Sequence, residues 1–150
     1  MVEAPANLIM ADVRAHFDAA LKAEFGTQAW CSKNMSEDPT KVPVSRTPFA
    51  LLWQTEEQGP EHEAAQPLLE VAKEVRALLW VKGYRNAEGT QEALNRVVWC
   101  MARSAWTLSR AGGRPVRALR RGYAWATNAG DSEGEGVFLF LLAYKASLTP

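Results

Sequence analysis

Histidine and cysteine are scarce. The 150 residues hold two of each, His16, His62, Cys31 and Cys100. No CxxC spacing occurs, so no zinc-ribbon or thioredoxin-like motif is present. HExxH, GxSxG, GxGxxG and the P-loop pattern are also missing. A catalytic site, a metal and a cofactor are therefore not expected. Cys31 and Cys100 are expected as two reduced thiols, with Cys100 acting as a small hydrophobe on a helix core face. No apolar run reaches ~18 residues, so no segment is expected to span a membrane. The start, MVEAPANLIMADVR, has no basic region followed by a long apolar stretch and does not read as a signal peptide. Synthesis and residence in a reducing cytoplasm are expected. There is no excess of one charge: Lys plus Arg and Asp plus Glu number 17 each, for a net charge of zero. That balance argues against a dedicated nucleic-acid binder and permits close association with protein. Internal repeats and low-complexity tracts are absent.

What is present fits one globular domain over residues 1–150. A chain of this length buries roughly 70% of its unfolded surface, and 47% hydrophobic with 23% charged residues is ordinary for such a domain. Tryptophan is abundant: Trp30, Trp53, Trp80, Trp99, Trp106 and Trp125. Most are expected in the core, with one or two at a subunit contact.

Along the chain, Ile9, Val13, Phe17, Leu21 and Phe25 recur every four residues, the stripe of an amphipathic helix over 8–25. Asn7 is placed to cap its start and Gly26 to end it. His16 lies beside the stripe and reads as a helix-surface residue, not a ligand. Residues 27–47 are irregular, with a short strand around Gln28–Cys31. Residues 48–54 alternate as a short strand between a proline and a Gly-Pro pair.

Residues 68–82, LLEVAKEVRALLWVK, satisfy two templates. Leu69, Val71, Val75, Ala77, Leu79 and Val81 fall on one face of a strand. Leu68, Leu69, Ala72, Val75 and Leu79 fall on one face of a helix, and local propensity favours helix. The pattern alone leaves both open; the context decides. Residues 87–110 form the clearest helix, with Leu94, Val97, Val98, Met101, Ala105 and Leu108 on its stripe, Trp99 and Trp106 extending the apolar face, Thr90 or Asn86 as cap, and Gly112–Gly113 as stop. Residues 116–127 and 137–146 form a closing hairpin around the acidic loop NAGDSEGEG. Val137–Tyr144 is apolar at every position, which calls for cover on both faces and a place in the middle of a sheet. Reading 68–82 as a strand supplies that sheet. The expected fold is α+β: a single domain with a mixed or antiparallel sheet of about four strands, two main helices on one face, and a C-terminal β-hairpin.

Two charged clusters stand out. Arg110, Arg114, Arg117, Arg120 and Arg121 place five arginines in twelve residues. They read either as a contact for phosphate or acidic side chains or as a solvated edge that discourages stray strand pairing. Asp131, Glu133 and Glu135 in the hairpin loop, with Glu56, Glu57, Glu61 and Glu63 in the 55–67 loop, read as solvated acidic loops. Their spacing is not that of an EF-hand.

In element order, from PFALLW through EVAKEVRALLWVKGY and EALNRVVWCMARSAWTL to RGYAWAT and GVFLFLLAYKA, residues 8–148 resemble the tail terminator family of tailed bacteriophages, the group of the minor tail protein U of lambda-like phages. The resemblance is one of length, pattern and order, and the family has no catalytic residues to carry over. It implies a virion structural protein, resident in the tail or neck and in host cytoplasm during assembly. Such a protein forms a homo-hexameric ring on the tail tube, ends tube polymerisation and presents the surface that joins the head. The implied partners are further copies of the chain, the tail tube protein and the head–tail connector or head-closure protein, with DNA passing through the ring without sequence-specific binding. Another neck, head-closure or tail-completion protein is the nearest alternative, and a nucleic-acid module using the arginines with Tyr123 and Trp125 a more distant one. A repeated heterologous contact closes a ring, and acidic loops on one edge would complement arginines on another. Arg114, Arg117, Arg120 and Arg121, with Glu56, Glu57, Asp131, Glu133 and Glu135, are the expected subunit or tube contacts. The long 26–47 connection and the arginine-rich segment depart from the family pattern.

Overall fold

The computed structural model describes residues 6–32, 41–58, 68–119, 125–128 and 132–147. It is an α+β fold with two helices, α1 (Ala6–Phe25) and α2 (Ala87–Thr107), and strands β1 (Trp30–Ser32), β2 (Phe49–Gln58), β3 (Leu68–Lys82), β4 (Arg110–Ala111), β5 (Arg114–Leu119), β6 (Trp125–Asn128) and β7 (Glu133–Ser147).

Residues 68–82 are a strand throughout. Val75, Ala77, Leu79 and Val81 are fully buried against the helices, while Glu74, Arg76, Leu78 and Trp80 are half-buried on the other face. That period of two is a strand's, and it overrides the helix propensity of the same residues. The 15-residue β3 pairs antiparallel with the 15-residue β7 in unbroken register, from Leu68 opposite Ser147 to Lys82 opposite Glu133. β7 is central, with β3 on one side and β5 and β6 on the other. Phe140, Leu142 and Tyr144 join the helix-side core, and Leu141 and Ala143 are buried on the opposite face. The apolar run is thus covered on both sides where it crosses the middle of the sheet.

The strand count differs from the expected four. Six strands lie side by side in the order β1-β2-β3-β7-β5-β4, and β6 pairs with β7 beyond β5. The additions are short: β1 runs parallel to β2 at one edge, and β4 turns through Gly112 and Gly113 into β5 at the other. Those glycines therefore make a β-turn, and α2 ends earlier, at Thr107. The expected strand 116–127 is two strands. Leu119 lies opposite Leu141 and Trp125 opposite Val137, so the chain takes six steps beside four of β7. β1 overlaps the short strand expected around Gln28–Cys31, whereas a two-residue strand such as β4 carries too little alternation to read from sequence.

Both helices pack on one face. On α1, Met10, Val13, Phe17 and Leu21 are buried. Gly26 closes the helix at φ +105°, its N–H bonding Lys22 O at 2.9 Å, a conformation that favours glycine. Asn7, expected as the cap, falls inside α1. Asn86 caps α2, its side chain accepting the Gly89 N–H at 2.8 Å. Polar residues of α1 fasten it to its surroundings. Asp18 accepts the Cys31 N–H at 2.9 Å, Asp12 accepts the Gly112 N–H at 2.7 Å, and Arg14 Nε donates to Leu52 O at 3.3 Å. A smaller cluster of Val42, Phe49 and Leu51 with Trp30, Leu78 and Trp80 sits on the face away from the helices.

Candidate interaction surfaces

The acidic end is built where β3 hands over to β7. Gly83 N–H donates to Ser132 O at 2.9 Å, tying the end of β3 to the start of β7. At Gly134 the strand passes so close to α2 that an added Cβ would meet Leu94 Cδ1 and lie 2.9 Å from Thr90 Cγ2. Gly134 thus faces the helix, and its neighbours Glu133 and Glu135 point away from it, both exposed. Glu135 stands on a rung with Trp80 and Phe49. The ring centroids of Phe49 and Trp80 are 5.5 Å apart and those of Trp30 and Phe49 4.7 Å, with the Arg46 guanidinium 4.9 Å over Trp30. The expected acidic loop is therefore strand at Glu133–Gly136. Glu56 and Glu57 likewise belong to β2 and not to a loop, in register with Glu74 and Lys73.

The basic segment lies at the other end of β7. Arg110 is exposed in β4, its Nη2 donating to Gly113 O at 2.9 Å. Arg114 opens β5. Arg117 is exposed opposite Ala143, while its neighbour Val116 is buried with the helix-side core. Arg117 and Glu135 therefore share the face away from the helices. Eight residues of β7 separate their rungs, about 26 Å, so Arg117 does not reach Glu135 within one chain. Glu56 and Glu57 stand three strand spacings from β5, roughly 14 Å across the sheet. Arg120, Arg121 and Asp131 lie outside the described residues, as do Glu61, Glu63, His62 and Tyr123.

A third surface was not anticipated. Trp99 and Trp106 do not extend the apolar face of α2; they are exposed, at 67% and 85%. At 100° per residue they project about 180–200° from Val97 at the centre of the buried stripe. That arithmetic was available from the sequence, but the general tendency of tryptophan to be buried obscured it. Arg96 and Arg103 share this side of the helix. Each has Nη2 3.4 Å from a Glu24 carboxylate oxygen, and the Arg96 guanidinium lies 4.9 Å over the Phe25 ring. These half-exposed pairs join α1 to α2 but contribute little stability.

Both cysteines are buried free thiols. Burial pushes the Cys31 thiol up to about 12, with the Asp18 carboxylate adding to the rise, and burial also raises Cys100. Reactive thiolates need the opposite environment. His16 is half-buried, with Nε2 on Ser104 O at 2.7 Å and 3.1 Å from the Thr107 hydroxyl, a structural bridge between helices. Among the described residues no group of three His, Cys, Asp or Glu side chains could hold a metal ion. No described helix is long and apolar enough to cross a membrane. What these surfaces offer is charge and aromatic area for binding other molecules. Comparison of the chain with models of known protein families and with curated proteins gave no match.

Proposed function

We propose that the chain is a structural protein of a bacteriophage tail, closing into a hexameric ring that caps the tail tube, ends its polymerisation and presents the surface on which the head docks. The observation that carries this reading is the element sequence. A leading helix, a strand before and a long strand after the 59–67 segment, a second helix and a closing antiparallel run follow one another in the order on which the resemblance rests. The strand at Leu68–Lys82, the point on which that order turned, supports it. The charge arrangement supports it too. Exposed Glu133 and Glu135 stand at one end of the outer sheet face and exposed Arg117 at the other, so that face presents charge of both signs to a neighbouring molecule.

The test is a polymerisation assay with purified tail tube protein, followed by negative-stain imaging. The chain is expected to sit at tube ends and stop elongation. Tubes that elongate unchanged in its presence, with no density at their ends, contradict the reading. Binding to isolated connector rings in place of tube ends would assign the chain to head closure.

A further inference from the structure

We propose that the outward face of α2, carried by Trp99, Arg103 and Trp106, docks on the acidic sheet face of a second copy of this chain, around Glu133, Glu135 and Trp80. The contact rests on the reading of the chain as a closed ring and specifies which two faces meet.

Three observations lead there. The first is area. Two tryptophans 67% and 85% exposed, about 10 Å apart along the helix, present on the order of 300 Å². A patch of that kind marks an interaction site, and it supplies a good part of the ~800 Å² per partner that a stable contact buries. The second is charge. Arg96 and Arg103 are exposed on this face, sharing Glu24 between them, while Glu133 and Glu135 are exposed on the other side of the molecule, with Lys82 opposite Glu133 in the sheet. Beside them lie half-buried Trp80 and Val137, so the acidic face also offers apolar area. The third observation is local neutrality. Arg96 and Arg103 both lean on Glu24, and Glu92 is exposed one turn before Arg96. Two arginines beside Glu24 and Glu92 give direction to a contact centred on the tryptophans without the extended positive field that a phosphate backbone calls for, and an aromatic centre with a mixed-charge rim is the composition of a protein interface.

The two faces lie on opposite sides of the chain, one outward from the helices and one outward from the sheet. Each copy therefore gives one and receives the other, a head-to-tail contact that makes a ring when its repeated rotation closes and a filament when it does not.

The geometry makes a sharp test. One variant carries W99A and W106A; the other carries E133R and E135R. All four side chains are exposed, so both variants are expected to keep the wild-type far-ultraviolet spectrum and melting temperature. Self-association, read by light scattering with and without tube protein, should weaken at least ~30-fold in each variant. Mixed together, the two variants retain one intact face each, and they should form a 1:1 heterodimer that grows no further. Variants that assemble like the wild type overturn the contact and leave the ring reading standing, through another face. A wild-type chain that stays monomeric with and without tube protein overturns both. Retention of single-stranded DNA by the wild type, lost in W99A/W106A while assembly persists, assigns the stripe to nucleic acid and overturns the contact.

Discussion

His16 Nε2 lies 2.7 Å from the carbonyl oxygen of Ser104, 88 residues away. A carbonyl only accepts, so Nε2 carries the proton and donates it. The bond joins the middle of α1 to the last turn of α2, where Ser104 O also accepts the Leu108 N–H and the Thr107 hydroxyl, each at 3.1 Å. His16→Ala should lower the unfolding free energy by about 1 kcal/mol, read as a shift of the urea midpoint at unchanged slope. A midpoint within error of wild type would show that the bond contributes nothing net.

Gly134 sits beneath Leu94 and Thr90, both fully buried. A methyl group there meets the Leu94 and Thr90 side chains, which must shift within a packed core to accommodate it. Gly134→Ala should therefore destabilise by about 1–3 kcal/mol, measured by thermal melting. An unchanged melting temperature would mean that the Leu94 and Thr90 side chains yield without cost, against a tight contact of α2 with β7.

Cys31 gives a pH dependence. Its thiol stands at about 12 in the fold against 9.0 for the free group, chiefly through burial. The folded value is the higher, so folding disfavours the thiolate. The stability tied to this group is fully present below pH 9 and falls as pH rises from 9 towards 12. Cys31→Ala removes that part of the alkaline loss. Stability curves of wild type and variant should converge between pH 9 and 12, and parallel curves would contradict the burial of the thiol. At pH 8 the wild-type thiol should resist iodoacetamide until the chain unfolds.

Charge reversal of Arg117, Arg120 and Arg121 to Glu should weaken assembly by at least tenfold, on the order of 1.4 kcal/mol, and more steeply at low salt than at high. Sedimentation across a salt series reads both. Assembly and tail length that match wild type would remove these arginines from the interface.

Much of the fold was legible because its longest elements carry strong periodicity. The 3.6-residue stripe of α2 and the unbroken apolar run of β7 each allow one reading. Residues 68–82 did not, since Leu, Glu, Ala, Lys and Arg satisfy both templates locally. The need of Val137–Tyr144 for a neighbour on each side resolved the choice, and β3 is that neighbour on one side. The short strand expected around Gln28–Cys31 stands slightly later, at Trp30–Ser32, whereas Arg110–Ala111 escaped because it holds too few residues to show alternation. For the surfaces, the separation of Glu135 from Arg117 depends on the register of β7 against β5, which no local pattern carries. Trp99 and Trp106 were hidden by composition, since their exposure lies in their angular position on α2 and not in their chemistry.

The central claim, a closed ring of copies, is tested most directly by the mass of the purified chain from light scattering, with negative-stain images of the same peak, alone and with tube protein. The account predicts a particle six times the 16.6 kDa chain with six-fold symmetry, either free or formed on tube ends. A monodisperse 16.6 kDa species that never associates with tubes would contradict it.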